Sequence, residues 1–327
     1  MNNKNTVLKL KKILQEEENF LLLSHVLPDG DNIGSVIAFA EILKIQGKKA
    51  TILLRDPVPG IYEFLLGSNV VFNLETIKEI PTCFIVLDCS GLDRTGEEMQ
   101  FLNDRARTVI NIDHHISNTG FGDIKIVKVD AAATCEVLYY LFKDMGFDIN
   151  LNAAQALYTG IVTDTGGFRY ESTTAHTFSA AAELLKKGVN IGNIKENVFE
   201  NKELPTILIL QKSLTHLSFS PTRELAWMYV TVKDMQEAEA TGEHCEGLVN
   251  YPLSIKGVKM SFFFREMPDG KIKVGLRARR NYNVDNVAAL FGGGGHTQAA
   301  GCTIVEPLDQ AIIKVLAAAE LALKGEK

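Results

Sequence analysis

Through its first half, the chain alternates short apolar runs with stretches in which apolar residues recur every three or four positions. Short runs bounded by turn residues predict strands, and the longer periodic stretches predict helices. Strands are expected at Phe20–Ser24, Ala50–Leu54, Cys83–Leu87, Thr108–Ile112 and Ile124–Val129. Helices are expected over Ile33–Ile45, closed by Gly47, over Thr134–Met145 and Ala153–Val162, and over Thr174–Lys187, stopped by Gly188. This alternation predicts an α/β domain with a doubly wound, mostly parallel sheet.

The pattern then breaks at the polar segment Lys195–Pro205, after which Ile207–Leu217 has helical spacing. Leu225–Val232, Val258–Glu266 and Ile272–Arg279 alternate as strands, and Pro268-Asp269-Gly270 reads as the hairpin turn between the last two. An amphipathic helix, Val284–Phe291, leads into four glycines and His296, and Asp309–Leu323 forms a closing helix. The expected organisation is a first domain over residues 1–190, a linker region over 191–220 and a smaller α+β domain over 221–327.

Composition narrows the function classes. The chain of 327 residues is 46% hydrophobic and 23% charged, which fits two packed domains and excludes a disordered chain. No apolar run near the amino terminus is long enough for a signal sequence or a membrane span, so a soluble, cytoplasmic protein with no membrane association is expected. Five cysteines without a CxxC pair fit reduced thiols rather than a disulfide framework. A net charge of −6 argues against an extended grip on long duplex DNA but leaves room for a small phosphorylated ligand.

The candidate chemistry lies where the acidic residues fall. Asp29 and Asp31 follow the first strand, Asp88 follows Phe84–Leu87 at once, and Asp113-His114-His115 follow Val109–Ile112. Ligand sites of open α/β sheets form beyond the carboxyl ends of the strands, so these groups share one edge. Asp164 ends a predicted helix in Thr163-Asp164-Thr165-Gly166-Gly167. A lone aspartate after a strand is usually a cap or turn residue; here several converge. Gathered carboxylates repel one another unless cations neutralise them. Oxygen donors with a minority of imidazoles suit Mn²⁺ or Mg²⁺, and Co²⁺ or Fe²⁺ less specifically. Two such ions, roughly 3.5–4 Å apart, would activate water and clamp a phosphoryl group. Asp88, alone on the middle strand, is the natural bridge. His176, His216 and His244 lie outside the pattern, and Cys89 reads as a packing residue.

In the second domain, Gly292 to Gly295 could expose backbone N–H groups to a phosphate or base, with His296 at the rim. Arg265 and Arg277 stand on adjacent predicted strands and suit a terminal phosphate, and Arg279 shares the parity of Arg277.

At these residues the sequence resembles the DHH phosphoesterase superfamily, and in size the branch of compact nanoRNases that also act as 3′-phosphoadenosine 5′-phosphate (pAp) phosphatases. His25-x-x-x-Asp29-x-Asp31, Val86-Leu87-Asp88, Asp113-His114-His115 and Thr163-Asp164-Thr165-Gly166 look like its four ordered motifs. Phe291 to His296 with Ala299-Ala300-Gly301 looks like the substrate-binding DHHA1 domain. The resemblance implies one metal ion held by His25, Asp29 and Asp88, and a second by Asp31, Asp88, His114 and Asp164. It implies that His115 contacts the substrate phosphate or assists the leaving oxygen and that Asp113 orients a histidine; Asp88, Asp113 and His115 form the catalytic set. Gly293, Gly294, Gly295, His296, Arg265 and Arg277 would then bind substrate, with the second domain closing over the metals to select short ends. The implied activity is Mn²⁺-dependent hydrolysis of short single-stranded RNA or DNA oligonucleotides to 5′-mononucleotides, and of pAp. Hydrolysis of linear or cyclic dinucleotides such as pApA or cyclic di-AMP is the alternative within the same chemistry. A metal- and nucleotide-binding regulator without turnover is the alternative outside it. A homodimer stays open.

Overall fold

The computed structural model describes residues 4–66, 70–72, 74–77, 79–96 and 106–325. The chain divides into two compact units, Met1–Asn201 and Lys202–Lys327.

The first unit is built on six parallel strands, β1 (Asn19–Leu23), β2 (Lys49–Leu53), β3 (Val70–Val71), β4 (Cys83–Leu87), β5 (Thr108–Asp113) and β6 (Ile124–Val127). Their order across the sheet is β3-β2-β1-β4-β5-β6, and every pair is parallel. The chain therefore winds outward from β1, returns to its other side and winds outward again, which puts a topological switch point between β1 and β4. The continuous apolar strand sequences reflect burial on both faces.

Alternate residues of each strand separate two cores. Phe20, Leu22, Ile85, Leu87, Ile110 and Ile112 pack under α1 (Lys4–Glu16), α2 (Gly30–Ile45), α3 (Thr134–Met145), α4 (Leu151–Asp164) and α5 (Ala175–Lys186). Leu21, Leu23, Phe84, Val86 and Val109 pack against Ile77, Ile80, Ala106 and Phe121. Helix α2 is buried along most of its length. Its closeness to α4 follows from glycine: a Cβ on Gly34 would stand 2.5 Å from the Ala156 carbonyl, and one on Gly30 would stand 2.3 Å from Thr163 Oγ1.

The segment expected as a linker is largely helical. Ile191–Lys195 forms α6, Glu196–Glu200 forms a single wide turn, and Leu204–Thr215 forms α7 with proline in its first turn. Ile194 and Val198 draw the first two of these segments onto the core of the first unit, so apolar anchoring overrides the polar composition.

The second unit carries a mixed sheet in the order β11-β12-β10-β9-β8-β7. Its strands are β7 (Ser218–Phe219), β8 (Leu225–Val230), β9 (Met260–Glu266), β10 (Ile272–Ala278), β11 (Gly294–His296) and β12 (Ala299–Ile304). Only β8 and β9 pair in parallel; the rest are antiparallel. One face packs on the closing helix Leu308–Gly325 through Ala311, Val315 and Ala319. None of the described helices is long and apolar enough to cross a membrane.

Candidate metal centre

The switch point between β1 and β4 is where the expected acidic and histidine residues meet. Three groups of donor atoms, each with its atoms within 4.8 Å of one another, could hold a metal ion: His25, Asp29 and Asp88; Asp31, His114 and Asp164; and Asp88, His114 and His115.

Local structure fixes each donor. Asp29 caps α2, accepting the N–H groups of Asp31 at 3.1 Å and Asn32 at 3.0 Å. His25 follows β1, and its Nδ1 lies 2.7 Å from the Val26 carbonyl. A carbonyl only accepts, so Nδ1 carries a proton and Nε2 is the nitrogen turned to Asp88 Oδ2, 3.3 Å away. Asp31 is fully buried, and its carboxylate is received by the start of α3: Thr134 N–H at 2.6 Å and Cys135 N–H at 2.9 Å. A helix amino terminus is a favourable seat for a carboxylate.

Asp88 lies at the centre. It adopts φ +52, an uncommon conformation for a non-glycine residue, and its N–H donates to the Ile112 carbonyl of the neighbouring strand at 3.0 Å. The two carboxylate oxygens face different partners. Oδ2 faces His25, whereas Oδ1 accepts from Thr134 Oγ1 at 3.0 Å and lies 3.7 Å from His114 Nε2. His114 Nε2 also lies 3.4 Å from Asp164 Oδ2 and 3.9 Å from Asp31 Oδ2, while its Nδ1 faces the Ala131 carbonyl at 3.3 Å. His115 Nδ1 is 2.7 Å from Asp113 Oδ1, and Asp113 is fully buried.

Proton affinities report the crowding. Burial first, then the charges of Asp88 and Asp164, pushes the Asp31 carboxyl well above the usual range. Burial lifts Asp164 to about 7 against the pull of His114. Burial opposes the charge of His25 and His114, but the surrounding carboxylates outweigh it and raise both to about 9. Burial likewise opposes ionisation of Asp88, yet the His25 hydrogen bond and the three histidine charges hold its carboxyl below the usual range. A site in which neighbouring carboxylates resist ionisation, with imidazole nitrogens turned inward, fits divalent cations in both donor type and charge.

Further residues support the cluster without being apparent from the motifs. Thr134 serves both Asp31 and Asp88, Ser24 Oγ donates to Asn32 Oδ1 at 2.7 Å, and Asn32 Nδ2 donates to the His25 carbonyl at 3.2 Å. Asn111 and Asn118 lie beneath Asp113. Asn111 had one visible signal, a polar residue in an otherwise apolar strand; Asn118 had none. Cys89 is buried and its thiol is pushed up to about 12, in keeping with a packing role.

In the second unit, the register sets the remaining candidates apart. Arg277 and His296 both neighbour Ala299, in β10 and β11 either side of β12, and so share one face of the sheet. The adjoining row on that face is Gly275, Gly301 and Gly294. Arg265 stands on the same face opposite Lys273, about 13 Å along the strand from Arg277, with its guanidinium against Gly242. The two arginines are not brought together. Arg279 is engaged otherwise, donating to the carbonyls of Val258, Leu253 and Ile255. The glycine run is partly strand rather than free loop. A Cβ on Gly293 would stand 2.2 Å from the Gly301 carbonyl, and one on Gly295 would stand 2.4 Å from that of Ala299, whereas one on Gly294 would make only an ordinary contact, 3.6 Å from Asp285 Oδ1.

A parallel α/β unit with carboxylates and imidazoles converging at its switch point, followed by a second unit on a mixed sheet, defines a two-unit protein with a candidate metal centre. The chain belongs to the DHH family. The model described as the DHH family, N-terminal domain, matches residues 19–161, and the DHHA1 domain matches residues 226–325. It is 31% identical over 303 residues to the bifunctional oligoribonuclease and PAP phosphatase NrnA of Thermus thermophilus, covering 91% of this chain and 88% of that protein. The Bacillus subtilis protein of the same name is 28% identical over 88% of this chain and 90% of its own length. The crystal structure of an exopolyphosphatase-related protein from Bacteroides fragilis matches with a TM-score of 0.92 and 27% identity, covering 97% of this chain and 96% of that one.

Proposed function

We propose that this chain is a divalent-metal-dependent phosphoesterase that hydrolyses short oligoribonucleotides to 5′-mononucleotides and removes the 3′-phosphate of pAp. The observation that carries the reading is the division of Asp88, whose two oxygens face two different donor sets. His25, Asp29 and Asp88 would hold one ion, and Asp31, Asp88, His114 and Asp164 the other, with Mn²⁺ the first choice and Mg²⁺ or Co²⁺ alternatives. When bound, such ions supply an activated water and polarise the phosphoryl oxygens.

The chain's own residues do the rest. Asp113 accepts the Nδ1 proton of His115 and raises the proton affinity of the ring, so that the imidazolium keeps a second proton on Nε2 to donate to a substrate phosphate oxygen. Arg277 and His296 flank a floor of Gly275, Gly301 and Gly294, where a nucleotide can lie close to the backbone and its terminal phosphate can meet a guanidinium fork. Arg265, Gly293 and Gly295 complete the proposed binding set, the two glycines by permitting the tight β11–β12 pairing. Residues 1–190 would serve catalysis and 221–327 substrate binding. The named activities of the two NrnA relatives, similar over nearly their whole length, support the substrate class.

A substrate panel with Mn²⁺ tests the reading: pAp, di- to pentaribonucleotides, pApA, cyclic di-AMP and pyrophosphate. Turnover of the short RNAs and of pAp is expected. Release of phosphate from pyrophosphate alone would overturn the substrate assignment, and turnover of cyclic di-AMP or pApA alone would move it to dinucleotides.

A further inference from the structure

Beneath the Asp113–His115 pair lies a set of amides with no part in the proposed metal coordination. Asp113 divides its buried carboxylate between two donors: Oδ1 accepts from His115 Nδ1 at 2.7 Å, and Oδ2 accepts from Asn118 Nδ2 at 2.6 Å. The Asn118 amide fits only one way round. Its Oδ1 accepts the Gly120 N–H at 2.7 Å, while its Nδ2 also reaches Asn111 Oδ1 at 2.9 Å and the Cys89 carbonyl at 3.3 Å. Turned over, its oxygen would face three acceptors and its NH₂ would face a donor. Asn111, fully buried, is fixed in the same manner by giving its Nδ2 to the Cys89 carbonyl at 3.2 Å.

Backbone geometry brings Asn118 to this place. Its N–H donates to the His115 carbonyl at 3.2 Å, and the next N–H, of Thr119, donates to the Ser90 carbonyl at 2.8 Å. The turn after β5 is thereby tied to the segment after β4, where Asp88 lies. His115 Nδ1 has two carboxylates within reach, Asp113 Oδ1 at 2.7 Å and Asp88 Oδ1 at 3.7 Å. At these distances the Nδ1 hydrogen bond goes to Asp113, and Asp88 is the alternative acceptor if Asp113 moves.

We propose that Asn118 is a positioning residue: it locks the Asp113 carboxylate so that His115 keeps its proton on Nδ1 toward Asp113, presents Nε2 outward, and leaves Asp88 Oδ1 to its other neighbours. Without the Asn118 donor, one oxygen of a buried carboxylate loses its partner, which is costly enough for Asp113 to shift. His115 is then free to turn toward Asp88. The kinetic part of this inference rests on the proposed hydrolytic function; the tautomer part does not.

The test uses the full-length chain loaded with diamagnetic Mg²⁺ and labelled with ¹⁵N-histidine. Wild type should show His115 protonated on Nδ1, with that proton protected from exchange. Asn118→Ala should lose the protected signal. It should also lower kcat by about 10–100-fold, the usual effect of removing an outer partner of such a site, with KM and metal affinity little changed. In an Asp113→Ala background, Asn118→Ala should add little further loss, because both act through one histidine. A wild-type His115 that carries no proton on Nδ1, an unchanged His115 signal in Asn118→Ala, or fully additive losses would each overturn the proposal. The wild-type spectrum decides the tautomer even if the variant does not fold. If the chain hydrolyses nothing in the panel, the spectra still decide the role of Asn118, so the two failures are distinguishable.

Discussion

Gly160, in the middle of α4, sets local preference against tertiary packing. Glycine inside a helix is about 1 kcal/mol less favourable than alanine, so Gly160→Ala should stabilise an isolated helix by that amount. In the folded chain, the added Cβ would stand 2.3 Å from Cys135 Sγ, 2.9 Å from Cys135 Cβ and 2.8 Å from Asp31 Oδ1. The sulfur can rotate away, but the Cys135 Cβ moves only with the backbone of α3, and Asp31 is held by the first N–H groups of that helix. Overpacking of this kind costs roughly 1–3 kcal/mol. Backbone movement puts this site near the upper end, so the net loss should be about 2 kcal/mol after the propensity gain.

Urea unfolding of the metal-free chain followed by helix circular dichroism should show a lower midpoint at unchanged slope. The single tryptophan, Trp227, lies in the second unit, so its fluorescence serves as an internal control. Metal uptake measured by calorimetry should weaken in the same variant, since Asp31 is pressed off its amide seat. A midpoint equal to or above wild type would refute the close α3–α4 packing on which the metal centre depends.

Other consequences are equally direct. Asp88→Ala should abolish hydrolysis and reduce bound metal, measured by elemental analysis after dialysis, because both proposed ions share that carboxylate; retention of two ions per chain would contradict the bridge. With His25 and His114 at about 9 in the metal-free chain, metal binding at pH 7 should expel protons, seen as a buffer-dependent heat in calorimetry. Both values lie above the ordinary imidazole value, and Asp164 at about 7 lies above the ordinary carboxyl value. These groups therefore stabilise the metal-free fold at low pH, and that contribution is lost as pH rises through about 7 and then 9. Asp88, held low, acts in the opposite sense only in the acid range. Denaturant midpoints that rise between pH 7 and 9 would refute this balance. Leu27 adopts φ +57 on the surface, so Leu27→Asn should raise the thermal midpoint by an amount equivalent to about 1 kcal/mol; a lower midpoint would show that the leucine side chain contributes more than the strain removes.

By itself, the sequence determined the strands β1, β2, β4, β5 and β6 as short apolar runs bounded by turn residues, and the helices α2 to α5 as longer stretches rich in apolar residues. It also determined that Asp88 and Asp113-His114-His115 would share an edge, since a parallel sheet delivers every strand's carboxyl end to the same side. Helix α1 is absent from the expected elements although Val7, Leu10, Ile13 and Leu14 recur at helical spacing and pack on the first core. β11 and β12 were not legible because glycine and alanine carry little periodic signal. Tertiary structure alone decided the finer chemistry of the centre. The separate facings of the Asp88 oxygens depend on an unusual backbone angle and on Thr134, 46 positions along the chain. The seat of Asp31 depends on the start of α3, 103 positions away. The separation of Arg265 from Arg277 depends on strand register. Local pattern predicts which residues reach an edge; which atoms face one another there is set by contacts between segments distant in the chain.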